Sequence, residues 1–177
     1  GTLRDPPRRK DAGVSIRAAK PEDAAAIASI WNGMIAGSLF TFTNQLKTEA
    51  EIRALIEARP RAVWLAEADG QGGLAGFVTY GTFRNGPGYA ATVEHSIVLA
   101  EGARRSGTGR RLMERAMAEA AQQGMHVMVA GISAVNSGAV AFHSALGFVE
   151  AGRLREVGRK NDQWLDLILM QKTLTSD

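Results

Sequence analysis

Residues 126–132 (HVMVAGI) constrain the fold more than any other segment, because almost every position of this short run is apolar. A strand with one face in water alternates apolar and polar residues, whereas a continuous apolar run is typical of a strand that is covered on both faces. Helical patterns flank it in the chain, over residues 109–123 and residues 137–146. The run therefore predicts a strand in a sheet that carries helices on both faces.

The rest of the chain predicts the order β-α-α-β-β-β-α-β-α-β-β, which indicates an α/β or α+β fold. Helices are predicted to start at Lys20 and to end near Gly37, and to start at Thr48 and to end before Pro60. The other predicted strands cover residues 14–17, 62–68, 74–83, 91–99, 148–157 and 164–172. Residues 62–68 and 74–83 are predicted to form a hairpin, and the last two strands an antiparallel pair. Residues 1–12 are predicted to be a disordered leader before a single domain over residues 13–175.

Composition excludes several classes of protein. None of the 177 residues is cysteine, which excludes a disulfide framework, a thiolate metal site and a cysteine nucleophile. The three histidines are widely spaced, so we expect no metal. No apolar run reaches the roughly 18 residues of a membrane helix, and the polar start shows no signal peptide. We therefore expect a cytoplasmic protein that binds no membrane. The net charge of +3 is divided among three separate clusters, which does not favour nucleic-acid binding.

A glycine-bearing turn at residues 104–110 (RRSGTGR) lies between a predicted strand and a predicted helix. Glycines let the backbone approach an anion closely, and a helix N-terminus favours negative charge. The neighbouring arginines can pair with phosphate oxygens. The pattern is neither a P-loop nor a complete dinucleotide fingerprint, so a simple tight turn with solvated arginines remains an alternative.

The same turn, together with a second segment, resembles the GNAT superfamily of N-acetyltransferases. Arg104-x-x-Gly107-x-Gly109 resembles the pyrophosphate loop of that superfamily, and residues 136–148 resemble its second signature. Residues 92–96 (TVEHS), 146–148 (LGF), 152–158 (GRLREVG) and 164–167 (WLDL) are similar to the branch of phosphinothricin and methionine sulfoximine acetyltransferases. These blocks run in order through about the last ninety residues of the chain.

The resemblance implies the GNAT fold: a mixed, mostly antiparallel sheet of about seven strands with helices on both faces. It also implies that two central strands diverge to admit acetyl-CoA, the expected co-substrate, and that no metal is needed. The residues that it implies for binding the cofactor are Ile97, Val98, Leu99, Arg104, Arg105, Ser106, Gly107, Thr108, Gly109, Arg110 and Asn136.

The resemblance also implies the catalytic residues. Glu94 is expected to act as the base that removes a proton from the amine, although a carboxylate on a strand can also be a plain surface acid. His143 is expected to be the general acid or a cofactor contact, or else a packing histidine. A backbone N–H near Val98 is expected to stabilise the oxyanion. His95 and His126 are interpreted as structural.

The acceptor site is implied less firmly than the cofactor site. Arg84 and Tyr89 match the family's substrate loop, and Arg84 is expected to bind the acceptor's carboxylate unless it is a solvated arginine. Phe40 is expected in the substrate pocket or else in the core, as are Phe42 and Trp31. The chain departs from the branch mostly around the acceptor. Ala90 replaces a usual arginine, residues 158–164 (GRKNDQW) lack an aromatic residue and a glycine, and residues 38–42 and 100–101 also differ.

The resemblance implies an enzyme that transfers acetyl directly from acetyl-CoA to the primary amine of a small acceptor. The acceptor is expected to be of the phosphinothricin, methionine sulfoximine or methionine sulfone type. Acetylation of a peptide, a protein or another small amine is the alternative, and a non-catalytic acetyl-CoA-binding module is a further one. A homodimer is expected, with the region of Trp164 at the contact.

Overall fold

The structure is a computed structural model that describes residues 13–69, 73–103 and 106–175. The predicted leader, residues 1–12, lies outside the described residues, and so do Arg104 and Arg105. The elements follow the predicted order. They are β1 (Val14–Ala18), α1 (Ala24–Gly37), α2 (Glu49–Ala58), β2 (Val63–Ala68), β3 (Leu74–Thr82), β4 (Thr92–Leu99), α3 (Thr108–Gln122), β5 (Val127–Ser133), α4 (Ser137–Ala145), β6 (Val149–Lys160) and β7 (Gln163–Thr173).

The seven strands form one mixed sheet in the order β1-β2-β3-β4-β5-β7-β6. Every neighbouring pair is antiparallel except β4 and β5, which are parallel and are joined by α3. The chain passes from β5 through α4 to the edge strand β6 and then returns as β7 between them. The sheet confirms the predicted α+β fold of about seven strands.

Helices cover both faces of the sheet, as the apolar run at residues 126–132 predicts. On one face α1 and α2 bury Ile27 and Ile52 against residues such as Leu65 and Phe77 of β2 and β3. On the other face α3 buries one side of its helix against the sheet. None of the helices in the described ranges combines the length and the apolar character that crossing a membrane requires.

Local sequence accounts for the ends of several elements. The Thr48 side chain accepts a hydrogen bond from the Glu51 backbone N–H, the capping arrangement that the sequence predicts for the start of α2. The predicted helix start at Lys20 is a 3₁₀ turn, Pro21–Asp23, and α1 proper begins at Ala24. The Asp23 carboxylate holds this turn by accepting from the Lys20 N–H and by pairing with Arg17.

β6 ends three residues later than the sequence predicts, because a bulge interrupts its pairing pattern without ending the strand. Pairing with β7 shifts between Leu154 and Gly158 and then resumes to the end of the strand. Asn161 and Asp162 both have positive φ, which is typical of the two-residue turn of a tight hairpin. The Asn161-Asp162 pair is the sequence signal for this turn. The unpaired residues 155–157 of the bulge break the strand pattern before it, so the sequence pattern predicts that the strand ends at residue 157. The extension brings Gly158 and Lys160 against the loop that follows α1.

Candidate active site

The two parallel strands separate at the centre of the sheet. β4 and β5 pair only over Thr92–His95 and Val127–Ala130, and the rest of each strand pairs with its outer neighbour, β3 or β7. Beyond His95 and Ala130 a gap therefore opens between them. This gap is the divergence that the sequence resemblance predicts between two central strands.

Alternation along the ladders determines which backbone groups face the gap. In an antiparallel pair, alternate residues exchange hydrogen bonds with the partner strand, and the residues between them turn N–H and C=O away from it. The Ala100 N–H donates to Ala75 O at one end of β4, and the Phe83 N–H donates to Thr92 O at the other. Ser96 and Val98 therefore bond to β3, whereas Ile97 and Leu99 point their backbone groups into the gap. The Val98 N–H is directed to β3, so the oxyanion donor expected near Val98 would have to be the N–H of Ile97 or Leu99.

A wide groove of about 1270 Å³ runs from the gap to the N-terminus of α3, and we call it the outer groove. α1, the end of β4, the start of α3 and α4 line it. The predicted cofactor residues along it are Ile97, Val98, Leu99, Gly107, Gly109, Arg110 and Asn136. An elongated, largely apolar molecule with an anionic group near the α3 N-terminus fits this arrangement.

In the described part of the glycine turn, residues 106–110, both glycines stand where the backbone requires them. Gly107 precedes α3 in the left-handed conformation, with φ of 83°. A Cβ on Gly109 would lie 3.1 Å from the Phe142 ring, so this glycine lets α3 and α4 pack closely. Ser106 and Thr108 bond to each other through their hydroxyl groups at 2.8 Å and shape the turn without lining the groove. Arg110 donates to the Ala145 carbonyl and also lies near Glu114.

A smaller cavity of about 340 Å³ lies on the other side of the gap, and we call it the inner cavity. Seven residues border both spaces and join them into one cleft: Met34, Phe40, Ile97, Val98, Asn136, Ala139 and His143. The remaining walls of the inner cavity come mostly from β4, β5 and the loop between α1 and α2, residues 38–48. Its size is at the lower end of the range for sites that bind small molecules.

Lys160 of β6 fixes the start of the α1–α2 loop. Its Nζ donates to Ile35 O at 2.7 Å, to Ser38 O at 2.8 Å and to Thr41 Oγ1 at 2.9 Å, so all three ammonium donors are used. The side chain is buried, and this loss of water lowers the pKa of Lys160. From the opposite side, Ser133 Oγ donates to the Leu39 carbonyl. The loop is thereby attached to two strands.

Glycine at position 158 is needed for the same loop. A Cβ there would lie within 2.4 to 2.7 Å of the Phe42 ring, which is too close for any side chain. Phe40 and Phe42 both line the inner cavity, as expected for a pocket, and neither belongs to the buried core. Sequence reasoning did not identify Gly158 and Lys160 as site residues, although both lie in a segment where the chain departs from the family pattern.

Glu94 is not among the residues that line the inner cavity or the outer groove, but its carboxylate lies beside Gly131, which lines the inner cavity. Its Oε2 is 3.0 Å from where a Cβ on Gly131 of β5 would stand, so the glycine makes room for the carboxylate. The side chain keeps contact with solvent, yet partial burial raises the pKa of Glu94. Ser96 follows Glu94 by two positions, so both side chains lie on the same face of β4, and Ser96 lines the inner cavity. The sequence analysis did not identify Ser96, although the two-residue period of a strand places it on the same face as Glu94.

His143 lines both spaces but has both ring nitrogens engaged. Nδ1 is 2.7 Å from the Ala139 carbonyl, which can only accept, so Nδ1 carries the hydrogen. Nε2 is 2.9 Å from Nε2 of His95 and accepts from it when both rings are neutral. Burial lowers the pKa of His143, and burial followed by the neighbouring His143 lowers the pKa of His95 to about 3. Both rings are therefore neutral near pH 7, and a general-acid role for His143 stays a prediction.

His95 has a closer relation to the site than sequence reasoning indicated. His95 is the last residue of β4 that pairs with β5. Its ring packs beside Phe148 and borders the inner cavity. Within the described residues its Nδ1 is buried without a hydrogen-bond partner, in agreement with a ring that donates from Nε2. No local sequence pattern indicates the contact between His95 and His143, because only the tertiary fold brings β4 and α4 together.

Arg84 and Tyr89 lie in the connection between β3 and β4 and are not among the residues that line either space. The Arg84 guanidinium stands 5.4 Å from the centre of the Tyr89 ring, so the two side chains pair with each other. Their expected role in binding the substrate stays a prediction. Asn136 lines both spaces, and its Oδ1 accepts from the Ala139 N–H, which caps α4. In the described ranges, no cluster of three or more histidine and acidic side chains could hold a metal.

A cleft that joins two spaces through a gap in a sheet can hold two molecules end to end, as a group-transfer enzyme requires. The model of the acetyltransferase (GNAT) domain family matches residues 16–169, and the chain belongs to this family. It is therefore an N-acetyltransferase by family, with the GNAT fold that the sequence resemblance implied.

Relatives and solved structures agree with this assignment. The chain is 36% identical over 162 residues to the L-amino acid N-acyltransferase MnaT of Escherichia coli strain K12, covering 91% of this chain and 94% of the relative. It is 34% identical to the L-methionine sulfoximine/L-methionine sulfone acetyltransferase of Pseudomonas paraeruginosa strain PA7, with 90% and 94% covered. The structure of yncA, a putative acetyltransferase from Salmonella typhimurium with its cofactor acetyl-CoA, is similar with a TM-score of 0.87 and 33% identity, covering 92% and 94%.

Proposed function

We propose that this chain transfers acetyl from acetyl-CoA to the primary amine of a small amino-acid-like acceptor of the methionine sulfone, methionine sulfoximine or phosphinothricin type. The observation that carries the proposal is the junction of the outer groove and the inner cavity at the gap between β4 and β5. In this arrangement the outer groove binds acetyl-CoA and the inner cavity binds the acceptor. The names of the relatives described above support the acceptor class.

The cofactor would lie with its pyrophosphate at the α3 N-terminus and its pantetheine arm along β4. Backbone groups of Ile97 and Leu99 face this arm, and Val98 contacts it through its side chain. The predicted cofactor contacts of Arg104 and Arg105 belong to the same proposal, although both lie outside the described residues. Asn136 and His143 border the thioester end, where His143 contacts the cofactor with its ring rather than with a free nitrogen.

The transfer itself needs a neutral amine. Glu94 takes one proton from the acceptor's ammonium group, and the nitrogen lone pair then attacks the thioester carbonyl. Backbone N–H groups in the gap stabilise the oxyanion of the tetrahedral intermediate. Its collapse breaks the C–S bond, and the departing thiolate takes up the second proton that the nitrogen loses. No covalent enzyme intermediate forms.

The test is release of the CoA thiol from acetyl-CoA in the presence of a panel of acceptors. The panel contains methionine sulfone, methionine sulfoximine, phosphinothricin, ordinary amino acids and peptides. We expect turnover with one or more of the amino-acid analogues. Turnover with peptides alone would establish the alternative acceptor class, and acetyl-CoA binding with no turnover would favour a non-catalytic module.

We also propose that the chain acts as a homodimer in the cytoplasm. Three large apolar side chains of the β6–β7 hairpin, Leu154, Val157 and Trp164, are 44%, 55% and 59% exposed, which supports an interface there. The cytoplasmic location follows from the proposed co-substrate, because acetyl-CoA is a cytoplasmic metabolite. The expectation that the chain binds neither nucleic acid nor a membrane belongs to the same proposal.

A further inference from the structure

We propose that Lys47 binds the carboxylate of the acceptor in the inner cavity. This inference rests on the proposed function, and it replaces Arg84 with a residue that the structure places in the cavity wall. It makes Lys47 a specificity-determining residue, one that selects acceptors with a carboxylate over plain amines.

The first argument is the charge of the inner cavity. Among the described residues that line it, Lys47 alone belongs to a type that is charged at neutral pH. The other polar groups of the wall are hydroxyls, the Asn136 amide and the two histidines. His95 and His143 do not compete for an anion, because burial keeps both rings neutral. An amino-acid acceptor brings a carboxylate into this space, and a buried carboxylate requires a charged or hydrogen-bonding partner.

The second argument is that Lys47 is held in place but not paired. The side chain of Asn32 forms two hydrogen bonds with the backbone of Lys47. Nδ2 donates to Lys47 O at 2.9 Å, and Oδ1 accepts from Lys47 N at 2.7 Å. The ammonium group stands 4.8 Å from the centre of the Trp31 ring, which packs on Phe77 in the core. In the part of the chain that the structure describes, no carboxylate forms an ion pair with Lys47. A partly buried lysine that has a fixed backbone, and no ion pair within the described residues, suits an anionic ligand.

The third argument is the position of the alternative residue. Arg84 stacks on Tyr89 in the β3–β4 connection, and neither side chain reaches the cavity wall. Ala90, where the branch usually has an arginine, removes a further cation from that connection. Lys47, in the loop between α1 and α2, supplies a cation in the cavity wall itself. The same cavity wall contains Gly131, beside which the Glu94 carboxylate lies, so the proposal puts the acceptor's carboxylate at Lys47 and its amine toward Glu94.

The test compares Lys47→Met with wild type on two acceptors that differ only in the carboxylate, methionine sulfone and its decarboxylated amine, 3-(methylsulfonyl)propylamine. Methionine keeps the apolar contact with Trp31 and removes the charge. We expect KM for methionine sulfone to rise about 10- to 100-fold, with kcat changed far less and with the amine unaffected. Lys47→Arg should retain most of the affinity. Lys20→Met, which removes an exposed lysine outside both spaces, is the matched control.

Two outcomes would overturn the inference. One is an unchanged KM for methionine sulfone in Lys47→Met, and the other is the same rise in Arg84→Met instead. Binding of methionine sulfone to the enzyme–CoA complex, measured by calorimetry, separates this inference from the proposed function. If wild type binds the amino acid through Lys47 but releases no CoA, acetyl transfer fails while the carboxylate site stands. If wild type turns methionine sulfone over and Lys47→Met binds it equally well, the transfer stands and the carboxylate site fails.

Discussion

At the scale of single residues, the proposed chemistry depends on one carboxylate that reaches solvent and is only partly desolvated by the strand beside it. Glu94 projects over Gly131, and its partial burial raises its pKa above the ordinary value for glutamate. A raised pKa makes a carboxylate a stronger base toward an ammonium group, so the environment suits proton removal. The strand supplies the position, and the neighbouring glycine supplies the space.

Replacing Glu94 with Gln should lower kcat by about 10²- to 10⁴-fold, the usual contribution of a general base. Acetyl-CoA binding should be unchanged, because the outer groove does not include this side chain. Thiol-release kinetics and calorimetry with acetyl-CoA measure the two effects separately. Glu150→Gln, which removes an exposed carboxylate from β6, is the control and should behave as wild type. Wild-type turnover by Glu94→Gln would remove Glu94 from the mechanism.

The raised pKa of Glu94 predicts that the stability of the fold depends on pH. Because the pKa of Glu94 is higher in the folded than in the unfolded state, its ionisation opposes folding as pH rises through these values. Glu94→Gln should therefore melt at a higher temperature than wild type at pH 8, and the difference should shrink toward pH 4, where wild-type Glu94 is protonated. Thermal melts across this range measure it. A constant difference at all pH values would contradict a raised pKa.

At the scale of elements, the hairpin of β6 and β7 positions the loop that encloses the inner cavity. Lys160 bonds two backbone carbonyls and one hydroxyl across the interface between β6 and the α1–α2 loop. Gly158 gives the Phe42 ring its place beside the same strand. The position of the loop therefore depends on residues more than a hundred positions away in the sequence.

Lys160→Met should cost about 2 to 4 kcal/mol of unfolding free energy, because it leaves the Ile35 and Ser38 carbonyls without their buried donor. It should also raise KM for the acceptor while leaving acetyl-CoA affinity nearly unchanged. Urea denaturation and steady-state kinetics give the two quantities. Lys172→Met removes a lysine that donates to the Leu146 carbonyl outside the inner cavity, and it should cost stability without a change in acceptor KM. Equal acceptor KM in both variants would argue against a positioning role for Lys160.

The turn before α3 allows a second comparison at this scale. Gly107 and Gly124 flank the same helix with φ of 83° and 84°, and neither has a neighbour within 4 Å of an added Cβ. Alanine at either position should cost about 1 to 2 kcal/mol of backbone strain. Only Gly107→Ala should weaken acetyl-CoA binding, since only this turn lies on the outer groove. Equal losses of affinity in the two variants would show that the effect comes from stability alone.

At the scale of the whole molecule, the edge strand β6 and its partner β7 expose apolar surface. Trp164 is more than half exposed, and the Arg159 guanidinium stacks on its ring at 4.4 Å. If the proposed homodimer uses this surface, Trp164→Glu should convert a dimer of about 38 kDa, twice the 18.9 kDa chain, into a monomer. Light scattering during size-exclusion chromatography gives the mass. A wild-type monomer, or a variant that remains dimeric, would contradict this interface.

The sequence determined the order of the elements and the nature of the central strand. Helix caps, glycine stops and the apolar run at residues 126–132 are local signals, because each depends on neighbours within a few positions. For the same reason the motif around Gly107 could be read directly, including its place at a helix start. Glu94 was predicted from a short block of residues, and the structure places it beside the cleft.

Only the tertiary structure decided how the site is enclosed. His143 meets His95, Lys160 meets the end of α1, and Lys47 meets Asn32, in each case across two different elements, at separations that no local pattern records. The gap between β4 and β5 arises because each strand follows its antiparallel neighbour, which is a property of the sheet and not of either strand alone. Arg84 matches a binding motif in the sequence but stacks on Tyr89 and lines neither space, so its role in binding stays a prediction. Chemistry-bearing residues could be recognised locally, whereas the set that shares one cavity follows from long-range packing.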